Sequence, residues 1–324
     1  MKATVRAAAV ALAALLAVIT AGPPAHAEPA PGGGGFTWAV RPAGPTGPSG
    51  RDYFVYTASP GQRVTDRVTV SNLGTKALTL RVYATDAFNT GDGSFALLTA
   101  DRRPTGVGTW ATFRAGSYRI KPGKRAHIPF TLTVPSDATP GDHSGGVVTA
   151  VTQQQTSATG QRVNVDRRVA ARVYVRVNGP LTPSAQIDTL AADYSVPAAG
   201  TSGTMTVTYR VRNTGNTRVT AAARITADGP FGWGQGRPVS RPIPELLPGN
   251  AYTFTERLPG VAPAGPLKAS VRLSLADPVS GAALPTRPVL RTASTFGAPW
   301  LLVGVVALVL GGLAFVVVRR RRSA

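Results

Sequence analysis

The sequence has 324 residues, a formal net charge of +20 and no cysteine. The lack of thiols excludes cysteine catalysis, iron–sulfur clusters and cysteine-bound zinc. The arginines are scattered along the predicted strands rather than clustered, which argues against nucleic-acid binding.

The first 27 residues have the pattern of a secretory signal peptide. Lys2 and Arg6 precede an apolar stretch over 7–19, and the sequence Ala-His-Ala at 25–27 supplies a small-x-small cleavage site. We therefore expect the mature chain to begin near Glu28 and to be exported. The two ends together hold six of the positive charges, so the exported part keeps a charge of about +14, which favours contact with anionic wall polymers and lipid headgroups.

Between the two ends, apolar and polar residues alternate with the period of β-strands that bury one face. The clearest stretches are 64–70 and 78–85, which are separated by a turn signal, Asn-Leu-Gly, at 72–74. No sustained helical period occurs between Gly50 and Gly179. This region is therefore expected to be all-β.

The same order of strand and turn signals occurs twice along the chain. In each half an Asn-x-Gly turn, a Pro-Gly turn and a strand that ends in proline follow one another, at 72–74, 122–123 and 135 in the first half and at 213–215, 248–249 and 259 in the second. Short strands bounded by such turns indicate antiparallel sandwiches. We predict an all-β chain with two tandem immunoglobulin-like β-sandwich domains, over 36–180 and 181–295, plus one C-terminal transmembrane helix.

That helix is predicted over Trp300 to Val318, a run without charged residues. As a helix, 19 residues span about 28 Å, close to the thickness of a bilayer's hydrocarbon core. Four arginines begin the basic tail over 319–324, and positive charge stays on the cytoplasmic side. The prediction is a single-pass cell-membrane protein with an extracellular ectodomain. The stretch 284–288 differs from a sortase signal, because Arg287 and Pro288 stand where threonine and glycine are required, so a permanent helix is favoured.

Several motifs of the first half match those of a known protein family. The more specific are Pro-x-x-x-x-Pro-Gly-x-x-x-Gly-Gly at 135–146 and Arg-Val-Tyr-Val-Arg-Val-Asn-Gly at 172–179; further matches are 60–61, 72–74, 86–87, 93, 110, 122–123 and 133–135. With these motifs, residues 36–180 resemble the peptidoglycan-binding domain of the WxL-interacting proteins, in an actinobacterial-type, membrane-anchored member. The resemblance implies a wall-facing binding module on the surface of a Gram-positive bacterium. The second half does not clearly match that family's partner-binding domain.

Four residues are candidates for ligand contact. Trp233 lies in a glycine-rich loop over 229–236, and an aromatic ring on such a loop is typical of a surface that stacks on sugars. Trp110 is a second candidate, although its surroundings favour a core position. Gly145 and Gly146 belong to the resembling family's signature stretch, so they are candidates too; the alternative is a bulge or a close backbone approach.

Three sets of residues have the chemistry of a catalytic or metal-binding site but not its spacing or surroundings. The neighbours at 142–144, Asp-His-Ser, cannot form a triad, because adjacent strand side chains point to opposite faces. Asp86, Asn89 and Asp92 lack the glutamate of an EF-hand, so a hairpin is favoured. Glycoside cleavage needs two carboxylates, and the only two glutamates after Glu28 show no sign of burial. We expect no enzyme activity, no cofactor and no metal.

The predicted function is therefore that of a non-enzymatic surface protein. It binds peptidoglycan or an anionic wall polymer and is held in the membrane by its C-terminal helix. The alternative is a scaffold that binds another exported protein through an exposed strand edge or sheet face and has no wall affinity.

Overall fold

The computed structural model describes residues 37–44, 51–156, 162–196, 201–232 and 235–322. The predicted signal peptide, its cleavage site and Trp233 lie outside these residues.

The first half of the chain forms a β-sandwich. Its elements are β1 (Trp38–Pro42), β2 (Phe54–Ala58), β3 (Arg63–Asn72), β4 (Leu78–Asn89), β5 (Phe95–Leu97), a single helical turn α1 (Val107–Trp110), β6 (Ala111–Phe113), β7 (Ser117–Ile120), β8 (Arg125–Thr133), β9 (Gly141–Thr156) and β10 (Arg162–Val177). One sheet has the order β1-β3-β8-β6. The other has the order β2-β10-β9-β4-β5, with β7 also paired to β4. β2 runs parallel to β10, and the other pairs are antiparallel.

The second half forms another β-sandwich with fewer strands. Its elements are β11 (Ala185–Ser195), β12 (Gly203–Asn213), β13 (Val219–Asp228), a short 3₁₀ turn (Pro230–Gly232), β14 (Val239–Leu246), β15 (Ala251–Val261), β16 (Gly265–Ala276) and β17 (Val289–Gly297). The two sheets have the orders β11-β12-β15 and β14-β13-β16-β17.

Each sandwich has its own hydrophobic core, built from the alternation seen in the sequence. In β4, Leu78, Leu80 and Val82 point inward and are almost fully buried. In the second sandwich the two largest buried side chains are Tyr209 and Tyr252. The predicted all-β class with immunoglobulin-like sandwiches is confirmed. The domain limits at 36–180 and 181–295 stay a prediction.

A buried asparagine closes the same turn in both sandwiches. Asn72 donates from Nδ2 to the carbonyls of Lys76 (2.9 Å) and Ile120 (3.0 Å), and its Oδ1 accepts from the Gly74 N–H (3.0 Å). Asn213 bonds in the same way to the Thr217 and Leu246 carbonyls and to the Gly215 N–H; the distances are 2.7, 2.9 and 2.9 Å. Because each side chain satisfies three backbone groups inside the protein, the Asn-x-Gly repeat is a folding requirement of the sandwich.

The chain ends in a long apolar helix, α2 (Trp300–Arg322), which starts three residues after the last residue of β17. Its part over Val303–Arg322 has a mean hydropathy of 2.1, and none of it is buried against the sandwiches. It is the one helix of the described residues that is long and apolar enough to cross a membrane.

Candidate functional site

The outer face of the larger sheet of the first sandwich holds the most distinctive surface of the molecule. Because Leu78, Leu80 and Val82 face the core, the alternate residues of β4 face outward, yet Thr85 is only 2% exposed.

Residues 95–110, which begin with β5 and end with α1, pack against Thr85, and a Cβ at Gly108 would lie 2.7 Å from Thr85 Cα. The end of this stretch reaches the core, where Val107 and Trp110 are buried. We call residues 95–110 the crossing segment.

One carboxylate holds the crossing segment on the sheet. Asp86 accepts hydrogen bonds from the backbone N–H groups of Thr105 (2.6 Å), Gly106 (2.8 Å) and Gly108 (2.7 Å). The Asp86 carbonyl also accepts from the Leu98 N–H at 3.0 Å. The Asp86 carboxylate therefore accepts the backbone N–H groups that would otherwise need the carbonyls of a neighbouring strand.

Two of the residues predicted as ligand contacts, neighbours in β9 that face opposite sides of the sheet, both lie against this segment. A Cβ at Gly145 would be 2.6 Å from the Thr85 carbonyl oxygen and 2.9 Å from Val107 Cβ. A Cβ at Gly146 would be 2.6 Å from Leu97 Cδ1. Both glycines are buried. The structure thus accounts for them by a close approach between the segment and the sheet, the alternative reading of the sequence.

Trp110 belongs to the same cluster. It is 6% exposed, and its ring centroid lies 4.7 Å from that of His143, whose Nε2 is 2.8 Å from the Thr139 carbonyl. The core position favoured by the sequence is the one observed. Trp38 is also buried and donates from its indole to Thr149 Oγ1 at 2.7 Å. Trp110 is thus the last residue of the crossing segment, against which both glycines lie, and a ligand role for the three residues stays a prediction.

Two open grooves border the crossing segment. The first, the Tyr83 groove, has a volume of about 350 Å³ and is lined by Arg81, Tyr83, Thr85 and Arg102. The hydroxyl oxygens of Tyr83 and Thr85 are buried, and neither has a hydrogen-bond partner among the described residues. A buried hydroxyl without a partner costs free energy, and because both oxygens are inaccessible from outside, the arginines are the groups that this groove offers to a ligand.

The second groove, the Arg172 groove, has a volume of about 550 Å³ and runs beside β5. Its charged lining residues are Arg168, Arg172 and Asp166. The Arg172 guanidinium lies over the Phe95 ring, 4.3 Å from its centroid, and Arg168 donates to the Leu98 carbonyl at 3.2 Å. Arginines fixed in this way keep N–H groups free for a planar anion such as a carboxylate.

The two grooves carry mostly positive charge. Arg81, Arg102, Arg168 and Arg172 line the grooves with one carboxylate, Asp166, and a second carboxylate, Asp101 of the segment between them, interacts with Arg102 and Arg168. Asp166 is 3.6 Å from Arg81, and both side chains are more than a third exposed. We call the two grooves and the segment between them the arginine face.

At one end of the first sandwich, buried charges join the two sandwiches. Asp142 has 3% of its side chain exposed and accepts from Arg176 Nε (2.7 Å) and Nη2 (2.9 Å) and from the Arg218 backbone N–H (2.9 Å). Arg218 in turn donates from Nη1 to Glu245 Oε1 at 2.5 Å. Its guanidinium lies 3.9 Å from the centre of the Tyr174 ring, and Tyr174 donates to Glu245 Oε2 at 2.9 Å. The hydrogen bond to Asp142 raises the pKa of Arg176, and burial followed by the charge of Glu245 raises that of Tyr174.

Uncharged contacts complete this joint. Asn89 donates to the Glu245 carbonyl at 2.8 Å and accepts from the Leu247 N–H at 2.8 Å. On the other side of Asp142, the Asn216 carbonyl accepts from the Asp142 N–H at 2.7 Å, and a Cβ at Gly141 would lie only 2.2 Å from that carbonyl oxygen. The two sandwiches are therefore connected through backbone as well as side chains.

The residues weighed as calcium ligands do not converge. Asp86 holds the crossing segment, Asn89 belongs to the joint, and Asp92 caps the hairpin turn by accepting from the Ser94 N–H at 3.1 Å. The hairpin favoured by the sequence is present, as β4 and β5. Within the described ranges, no group of three or more acidic, histidine or cysteine side chains could hold a metal ion.

No family model matches this chain, and no curated protein matches it in sequence. Similar solved structures include a chain from a chaperone–tip adhesin complex of CFA/I fimbriae, with 9% identity and a TM-score of 0.40 over 79% of this chain and 98% of that one. A chain from the CsuC–CsuE chaperone–tip adhesion subunit pre-assembly complex of Acinetobacter baumannii has 12% identity and a TM-score of 0.35 over 79% and 97%. A chain from the Salmonella enterica SafA pilin complex with the SafB chaperone has 10% identity and a TM-score of 0.33 over 80% and 97%.

The assignment to the WxL-interacting proteins is wrong. No family model covers residues 36–180, and the similar solved structures described above come from fimbrial chaperone complexes and not from WxL-interacting proteins. The motifs that suggested the assignment have structural explanations within this chain. The turn at 72–74 recurs in the second sandwich, Gly141 and Arg176 belong to the joint, and the glycine pair packs against the crossing segment. Peptidoglycan binding is left without support.

Proposed function

We propose that this protein is a non-enzymatic surface scaffold, anchored in the membrane by α2 with its basic tail inside, that binds another exported protein. The partner binds at the arginine face of the first sandwich through an acidic segment.

The observation that carries the proposal is the composition of the arginine face. Four arginines line the two grooves and only two carboxylates, Asp101 and Asp166, lie among them, so the face keeps an excess of positive charge. Arginine is enriched in protein interfaces, because its planar fork binds carboxylates through two parallel hydrogen bonds. An acidic segment of a partner would pair with these arginines.

The joint supports the same function. A scaffold must present its binding surface in a stable position, and the buried pairs of Asp142 and Arg218 tie the first sandwich to the second, which connects to α2. The crossing segment is likewise fixed, through Asp86. A surface ordered before binding loses less conformational entropy when the partner arrives.

The experiment uses the full-length chain in nanodiscs, incubated with exported proteins of the source organism and cross-linked. The variant Arg102→Glu/Arg172→Glu reverses one arginine in each groove. The control, Arg224→Glu/Arg272→Glu, makes the same charge change on two exposed neighbours in β13 and β16. We expect one partner to be captured by the wild type and the control, and its yield to fall at least about tenfold with the groove variant, since like charges in an interface cost several kcal/mol.

Two results would overturn the proposal. One is a partner whose capture is equal for the groove variant and the wild type. The other is binding of the nanodisc-held chain to protein-free sacculi, lost with the groove variant, since the face would then serve an anionic wall polymer.

A further inference from the structure

The end of the second sandwich from which α2 leaves presents unusual aromatic side chains. Asp228 of β13 lies opposite Lys268 of β16, and Lys268 lies opposite Ser294 of β17. β13 and β17 run toward this end and β16 runs away from it. The turn after β13 and the start of α2 therefore emerge at the same end of the sheet, which we call the helix end.

Phe231 is the most exposed large apolar side chain at the helix end. It lies in the short turn Pro230–Gly232, which packs against β16, and it is 99% exposed. Its φ of +56° is the only positive value of a non-glycine residue in the described part of the chain. Glycine or asparagine is the usual choice at such a backbone position. An aromatic ring that contacts nothing in its own sandwich, on a backbone that disfavours it, has no explanation in the fold.

Two further aromatic residues lie at the same end. Phe296, the second-last residue of β17, is 64% exposed, and Trp300, the first residue of α2, is 68% exposed. Only Ala298 and Pro299 separate the strand from the helix. Residues span at most about 3.5 Å each, so the helix end of the sandwich must lie within roughly 10 Å of the first turn of α2.

We propose that Phe231, Phe296 and Trp300 enter the interfacial layer of the bilayer that α2 crosses, so that the second sandwich rests on the lipid surface. The inference rests on the membrane anchoring of α2 and is independent of the partner bound at the arginine face. Aromatic rings favour the headgroup level of a bilayer. Lys268 is exposed beside them and faces the phosphates. The lipid surface is the occupant because the short connection leaves no room for another partner between the sandwich and the membrane.

The lack of native cysteine allows a direct depth measurement. Single variants Phe231→Cys, Val279→Cys and Leu308→Cys in the full-length chain are labelled with an environment-sensitive fluorophore. They are reconstituted in phosphatidylcholine–phosphatidylglycerol vesicles that contain lipids with a spin-label quencher near the headgroup, to test position 231, or in the acyl chain, to test position 308. Val279 is the matched control, since it is 74% exposed and lies in the turn after β16, at the opposite end of the same strand. Leu308 lies within α2.

We expect lipid quenching at 231 and 308 and none at 279. Quenching at 308 with none at 231 would overturn the docking and leave the membrane anchor intact. No quenching at 308 would overturn both.

A second measurement tests the contribution of the ring itself. In the Lys268→Cys variant, the label is quenched if the helix end touches lipid, and Phe231→Ser in the same chain should reduce that quenching. Because Phe231 is 99% exposed, the substitution leaves the core unchanged. Equal quenching with and without the ring would show that Phe231 does not hold the sandwich on the membrane, and would overturn the inference.

Discussion

Replacement of Asp142 by alanine should loosen the two sandwiches from each other. The carboxylate accepts three N–H groups, two from the Arg176 side chain and one from the Arg218 backbone. Alanine removes both acceptor oxygens, and so all three hydrogen bonds, without adding volume.

The size of the effect follows from the exposure of each donor. The Arg176 side chain is 36% exposed, so water replaces its lost partner at small cost. The Arg218 N–H is buried and would lose its acceptor, while the Arg218 guanidinium would keep Glu245. The expected loss of stability is about 2–3 kcal/mol, between that of one unsatisfied buried donor and that of a broken buried ion pair. For units of this size it lowers Tm by roughly 5–10 °C.

The assay combines calorimetry of the full-length chain with a distance measurement across the joint. Spin labels at Lys124→Cys and Val279→Cys, one in each sandwich, report how widely the distance between them is distributed. In Asp142→Ala we expect a broader distribution and two separate unfolding transitions in place of one.

The control is Asp188→Ala. Asp188 pairs with Arg212 at 2.7 Å inside the second sandwich and takes no part in the joint. It should cost about 1 kcal/mol, because water replaces the lost partner of Arg210 and Arg212, which are both more than a third exposed, and it should leave the distance distribution unchanged. The reasoning is refuted by an unchanged distribution in Asp142→Ala, or by an equal broadening in the control.

Three other predictions concern the crossing segment and the cores. Asp86→Ala should speed amide hydrogen exchange in the segment at least about tenfold, since its three backbone donors lose their acceptor; unchanged exchange would contradict its role. Gly146→Ala should lower stability by about 1–3 kcal/mol through contact with Leu97, while Gly116→Ala, where a Cβ meets nothing within 4 Å, should have little effect; equal urea midpoints for both would contradict the packing account. Burial raises the pKa of Tyr209 and Tyr252 in the folded state, so stability should be complete below the usual tyrosine pKa of about 10 and fall above it. A urea midpoint that stays constant from pH 9 to 12 would contradict this sign.

The sequence was sufficient for features that depend on near neighbours. The alternation over 78–85 predicted β4 with its buried face, and the Asn-x-Gly signals at 72–74 and 213–215 predicted two similar sandwiches. The uncharged run from Trp300 likewise predicted α2, and the helix continues through the arginines to Arg322.

The arginine face and the joint depend on contacts that no local pattern reveals. Asp142 and Arg218 are 76 positions apart, and each has the appearance of an ordinary solvated charge in the sequence. The burial of Thr85 also breaks the alternation of β4, because a distant segment covers it. The one available signal was the pairing of Arg176 with Asp142, which are direct neighbours across the β9–β10 hairpin once its register is known.

The motif resemblance failed for a related physical reason. Turn residues such as Asn72 and Gly141 are required by the geometry of a sandwich or of its joint, so they recur in proteins with different ligands. Such residues are therefore informative about the fold and uninformative about the partner.

In the membrane-anchored scaffold that we propose, the two-residue connection between β17 and α2 would also limit how the protein meets a partner. Because no flexible linker separates β17 from α2, the sandwiches would move together with the helix. Their motion would be lateral and rotational diffusion in the plane of the membrane. A partner would then have to bind at the distance from the membrane at which the first sandwich is held. A flexible insert at Ala298 would let the sandwiches sample a wider range of distances and orientations.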